Sequence, residues 1–91
     1  FKPGSDDVRD TPSAKIIREL RLLGYTNITG YDPVAEKEFE RYYSDLAIGY
    51  ANSYDELIRQ ADVLVITTAW PEFANVKQLT QKPVVDCRYM L

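Results

Sequence analysis

Histidine does not occur in this chain of 91 residues, and cysteine occurs once, at Cys87. A single cysteine excludes an internal disulfide, and one cysteine without histidine cannot assemble a zinc site. It also leaves the Cys87 thiol without an imidazole to activate it. Glycine is scarce, at four residues, and the first loop lacks the Gly-x-Gly-x-x-Gly turn of a dinucleotide-binding fold. No apolar run approaches a membrane span and no signal peptide is visible, so a soluble, cytoplasmic protein with no membrane partner is expected. Positive charge is in deficit, with 11 Lys and Arg against 14 Asp and Glu and a net charge of −3. Nucleic acid is therefore disfavoured as a partner, and any anion site must be a local basic pocket on an acidic chain.

What remains is an ordinary globular composition. The 45% hydrophobic content can build a core, and the 27% charged content argues against wholesale disorder. The length allows one domain at most. No repeat, low-complexity segment or interdomain linker breaks it.

Helix and strand signals alternate along the chain. Thr11 is the expected N-cap of a first helix with Pro12 at N1, where a missing N–H costs nothing. Ile16, Ile17, Leu20 and Leu23 give it one apolar stripe, and Gly24 supplies the stop, for a helix over about Pro12 to Leu23. A strand is expected from Asn27 to Tyr31, ended by Asp32-Pro33 because proline forces the preceding residue extended. Val34 to Tyr43 reads as a helix packing through Phe39, Tyr42 and Tyr43, followed by a strand near Ala47 to Tyr50. Those tyrosines could stack on a base, or pack in a core or a partner interface. Ser53-Tyr54-Asp55-Glu56 is a capping-box pattern that starts a helix to about Gln60. Val63 to Thr68 is the clearest strand, an unbroken apolar and β-branched run of the kind buried on both faces. A short helix from Pro71 or Glu72 to Leu79 and a last strand from Pro83 to Asp86 complete the chain.

Short apolar strands alternating with helices predict an α/β fold, a Rossmann-like parallel sheet with helices on both faces. Ligands of such sheets bind beyond the carboxyl ends of the strands. Three cations fall there: Lys2, Arg9 and Arg88. Together they suit a pyrophosphate diester, each charge-assisted contact contributing about 1.5–3 kcal/mol. The alternative is ion pairing with Asp6, Asp7 or Asp86, which contributes only about 0–1 kcal/mol when exposed. Asp32 either caps its turn or binds a ribose. Trp70 and Phe73 either close the core edge or hold a partner domain, or else meet a ligand.

Four stretches, in order, carry a resemblance: Phe1-Lys2-Pro3-Gly4-Ser5-Asp6-Asp7-Val8-Arg9-Asp10-Thr11-Pro12-Ser13, Tyr31-Asp32-Pro33, Ala61 to Phe73, and Val84-Val85-Asp86-Cys87-Arg88. They resemble the C-terminal, UDP-binding domain of the UDP-glucose/GDP-mannose dehydrogenase family, over nearly the whole chain. The resemblance implies one domain of a larger enzyme, here residues 1–91, that oxidises a nucleotide sugar at C6 to the uronic acid with two NAD⁺. The Trp70-Pro71-Glu72-Phe73 stretch is most similar to members acting on UDP-glucose, with GDP-mannose and UDP-N-acetylmannosamine as alternatives. Phe1, Lys2 and Arg88 take the positions that contact the UDP-sugar. Arg9 takes the position that touches the NAD held by the N-terminal domain. The family's strand ahead of Phe1 is expected to be missing from this chain. Its catalytic cysteine and that cysteine's helpers lie in the N-terminal and central portions, so these 91 residues are expected to be inactive alone. Assembly into homo-oligomers is implied for the whole enzyme. Cys87 stands where the family usually has glycine, which could crowd a nucleotide or alter the backbone. A flavodoxin-like or receiver-like interaction module is the reading from another class, and scattering of Lys2, Arg9 and Arg88 would favour it.

Overall fold

The structure is a computed structural model that describes residues 11–91. The expectations for Phe1, Lys2 and Arg9, and for the acidic pair Asp6-Asp7, lie outside the described residues.

Helix α1 spans Pro12–Leu22 and starts as its sequence dictates. Thr11 is extended, and its Oγ1 accepts the Ser13 N–H at 3.3 Å. At the other end Gly24 has φ 101°, with the Gly24 N–H donating to Arg21 O and the Tyr25 N–H to Leu20 O, both at 3.0 Å. That is a Schellman stop, and glycine adopts the left-handed turn without a Cβ clash. Ala14 and Ile17 are buried, but Leu23 is 75% exposed and does not belong to the packing stripe.

Strand β1 (Thr29–Gly30) pairs in parallel with β2 (Gly49–Tyr50). Between them lie α2 (Glu36–Tyr42) and a 3₁₀ turn at Ser44–Leu46. Phe39 and Tyr43 pack inward as expected, whereas Tyr42 is exposed and rests edge-on against Tyr43, their centroids 4.8 Å apart. Ala14, Ile17, Ala35, Phe39, Tyr43 and Leu46 form one core, flanked by Ile28, Ile48 and Tyr50.

Helix α3 spans Tyr54–Gln60, with the Ser53 hydroxyl accepting the Glu56 N–H at 3.1 Å. The Glu56 carboxylate reaches back one residue further than a regular capping box, to the Asn52 N–H. β3 (Leu64–Ile66) and β4 (Val84–Asp86) pair in parallel, linked by a 3₁₀ turn (Pro71–Asn75) that runs into α4 (Val76–Leu79). Ile58, Leu64, Ile66 and Val76 are buried in a second core, with Val84, Phe73 and Met90 against it.

The α/β, Rossmann-like character holds, with two corrections. β3 is not buried on both faces: Leu64 and Ile66 are covered, while Val65 and its register partner Val85 remain 39% and 51% exposed. The strands also form two separate two-stranded ladders, β1-β2 and β3-β4, rather than one sheet. The halves still touch, because the Ser13 hydroxyl donates to Thr67 Oγ1 at 2.8 Å.

Candidate functional site

Besides Ala51 to Ser53 after β2, three segments leave the carboxyl ends of the strands: Tyr31-Asp32 after β1, Thr67 to Trp70 after β3, and Cys87 to Leu91 after β4. The first two meet. Asp32 Oδ1 accepts the N–H groups of Val34 and Ala35, each at 2.8 Å, which caps the turn forced by Pro33. Its other oxygen accepts the Trp70 indole N–H, also at 2.8 Å. Both carboxylate oxygens are thus engaged by the protein, which favours the turn-capping reading of Asp32 over a ribose ligand. Trp70 is likewise a bridge between the two halves.

Beside that bond Tyr31 stacks on Tyr54 at 6.2 Å, and Phe73 closes against Tyr54 at 5.3 Å. The Tyr54 hydroxyl donates to Asn75 Oδ1 at 3.1 Å. Burial pushes both tyrosine hydroxyls above their ordinary pKa, and nearby carboxylates add to it: Glu72, Glu36 and Asp32 for Tyr31, and Glu72 and Asp55 for Tyr54. This stretch of rim is therefore aromatic and negatively charged, unsuited to a pyrophosphate. Trp70 and Phe73 serve in packing there.

The segment after β4 differs. The Cys87 N–H donates to Ile66 O at 3.0 Å, tying the turn to β3. Asp86 then accepts the Arg88 N–H on Oδ1 at 3.0 Å and the Leu91 N–H on Oδ2 at 2.8 Å. Desolvation pushes the Asp86 carboxyl upward, but the N–H groups of Leu91, Arg88, Met90 and Tyr89 outweigh it and hold the group below its ordinary pKa. Arg88 is exposed, and among the described residues it forms no ion pair. Asp86 is occupied by backbone donors instead of the guanidinium. Positive φ outside glycine is confined, among the described residues, to Ala47 and Tyr89. Cys87 is not one of them, so its backbone does not need the freedom of a glycine. It is exposed, and among the described residues no group of three or more His, Cys, Asp or Glu could hold a metal.

A family model described as the UDP-glucose/GDP-mannose dehydrogenase family, UDP binding domain, matches residues 1–91. The chain belongs to that family. Among its relatives, UDP-glucose 6-dehydrogenase AglM of Haloferax volcanii is 38% identical over 92 residues, covering 97% of this chain and 21% of that protein. UDP-glucose 6-dehydrogenase of Rhizobium meliloti is 37% identical over 80% of this chain and 16% of its own length. UDP-glucose 6-dehydrogenase TuaD of Bacillus subtilis is 33% identical over 93% of this chain and 19% of its own length. The chain thus spans about a fifth of the curated relatives it matches.

Within this UDP binding domain the structure brings Asp32 and Trp70 together and sets Arg88 on the β4 turn. Lys2 and Arg9, the other two cations of the expected cluster, lie outside the described residues. Sequence reasoning missed three contacts: the Asp32–Trp70 bond, the Ser13–Thr67 bond, and Asp86 as the organiser of its turn. An aspartate at the end of a strand is a turn signal and could have pointed to the last of these. The first two join residues more than 35 positions apart and leave no local mark.

Proposed function

We propose that this chain is the nucleotide-sugar-binding domain of an NAD-dependent UDP-glucose 6-dehydrogenase, which oxidises UDP-glucose to UDP-glucuronate. The observation that carries the reading is the family match over the full chain, with relatives that each bear the name UDP-glucose 6-dehydrogenase. In this reading Arg88 and Lys2 meet the pyrophosphate charges and Phe1 lies against the UDP-sugar. The Arg88 guanidinium suits such a contact. It stands on a turn held by backbone hydrogen bonds, and its planar fork is left free of carboxylates among the described residues for a bidentate grip on phosphate.

The described residues do not fit a resident dinucleotide, since Asp32 is engaged by Val34, Ala35 and Trp70 and no glycine-rich loop precedes α1. NAD, the hydride acceptor of the overall oxidation, belongs in this reading to the N-terminal domain of the whole enzyme, as the family resemblance implies, with Arg9 reaching it from this one. The nucleophile and its helpers are assigned to the N-terminal and central domains as well. This domain binds and orients, and alone it turns nothing over. The whole enzyme is a homo-oligomer in this reading.

The test is NADH formation by the whole enzyme with UDP-glucose, GDP-mannose and UDP-N-acetylmannosamine offered separately. Turnover of UDP-glucose with two NADH per sugar is the expected result, with Arg88→Ala mainly raising KM. Turnover of another sugar alone would keep the family and replace the substrate. Failure to turn over or bind any of them would overturn the reading.

A further inference from the structure

We propose that Asp86 is a positioning residue of the nucleotide-sugar site, whose carboxylate shapes the 87–91 turn so that the Arg88 guanidinium is presented to the pyrophosphate. The inference rests on the assignment of Arg88 above and names what holds that residue in place.

Apolar packing does little for this turn. Cys87, Arg88, Tyr89 and Leu91 are exposed, Tyr89 to 94%, and only Met90 reaches the second core. Tyr89 nevertheless sits at φ 54°, a left-handed conformation that costs a non-glycine residue energy unless its surroundings enforce it. The enforcement comes from hydrogen bonds at three points. The Cys87 N–H is held by Ile66 O, the Arg88 N–H by Asp86 Oδ1, and the Leu91 N–H by Asp86 Oδ2. One carboxylate thus grips the turn on both sides of Tyr89. Anionic acceptors make stronger bonds to N–H groups than neutral ones do.

The same arrangement resolves a conflict of charge. A carboxylate two residues from a phosphate-binding arginine would either pair with the guanidinium or repel the ligand. Asp86 does not pair with it, and its two oxygens face backbone donors that partly neutralise its field. Arg88 keeps a fixed backbone and, among the described residues, an uncommitted side chain, the combination that lowers the ordering cost of binding.

The experiment is calorimetric titration of the whole enzyme with UDP, using Asp86→Ala, Asp86→Asn, Arg88→Ala and the double Asp86→Ala/Arg88→Ala variant, with melting temperatures recorded in parallel. Arg88→Ala is expected to weaken UDP by about tenfold or more. Asp86→Ala should weaken it by a comparable factor while shifting Tm by only a few degrees. The double variant should bind within about twofold of Arg88→Ala, because both changes remove one interaction. Asp86→Asn keeps an oxygen for the Arg88 N–H but sets an amide against the Leu91 N–H, so it should recover part of the affinity. Wild-type affinity in Asp86→Ala beside a weakened Arg88→Ala would overturn the proposal, as would losses that multiply in the double variant. Unchanged affinity in Arg88→Ala, with UDP still bound, would instead overturn the assignment of Arg88 beneath it.

Discussion

The two halves of this domain are built on different terms. Residues 11–51 close around six buried side chains drawn from α1, α2 and the turns beside them. Residues 53–91 have four buried side chains at their centre and use polar anchors around them. Ser53 caps α3 at its start, and the Lys82 ammonium donates to Ile58 O at 2.6 Å and Arg59 O at 3.0 Å at its end. Asp86 organises the final turn. The candidate phosphate-binding arginine stands on the half with the thinner core. Its backbone is held by directional hydrogen bonds, which fix the turn without covering the side chain proposed to meet the ligand.

This contrast can be broken most sharply in the first half. Phe39→Ala should cost about 3–5 kcal/mol, read by urea denaturation. Small domains have only a few kcal/mol to lose, so this change is expected to unfold the isolated domain. Ile66→Ala in the second half should cost about 2–5 kcal/mol, and a loss as large as that of Phe39→Ala would show the cores to be equals.

The seam between the halves comes next. Trp70→Phe removes the indole donor to Asp32 and should cost about 1 kcal/mol. Asp32→Ala should cost more, because it also uncaps the Val34 and Ala35 N–H groups. A double-mutant cycle between the two should show a coupling of about 0.5–3 kcal/mol, and additive losses would mean the seam carries no energy. Lys82→Met keeps the aliphatic stem and leaves two α3 carbonyls without their cation, at an expected cost of about 1 kcal/mol.

A pH dependence that acts only above about pH 10 is expected in the first half. Burial, then Glu40 and Glu36, push the Tyr50 hydroxyl up to about 12. Its folded pKa lies above its unfolded value near 10, so the stability it contributes is present below about pH 10 and fades as pH rises towards 12. Ultraviolet titration of the folded protein should show a step near pH 12, beyond the smaller upward shifts of Tyr31 and Tyr54, and Tyr50→Phe should abolish that step.

Local signals read well, and signals that need a partner did not. Thr11-Pro12 and Ser53 mark their helix starts because a cap is satisfied within a few residues. Gly24 marks a stop for the same reason. Leu23 and Tyr42 misled, since periodicity says which side chains share a stripe but not how far along the helix a neighbour covers it. Val65 misled because a β-branched run suits a strand covered on one face as well as a strand covered on both. The strands are shorter than their apolar runs, since a ladder ends where its partner does.

The sequence by itself determined the alternation of elements, the α/β class, the caps, and through four ordered motifs the family. All of these follow from contacts within a few residues or from the order of residue types. Tertiary structure alone decided that Asp32 serves Trp70 and its own turn, that Tyr31, Tyr54 and Phe73 make one rim aromatic and acidic, and that Asp86 grips its turn with backbone donors rather than pairing with Arg88. A carboxylate's role is set by which donors reach it first, and that is known only once the chain has closed.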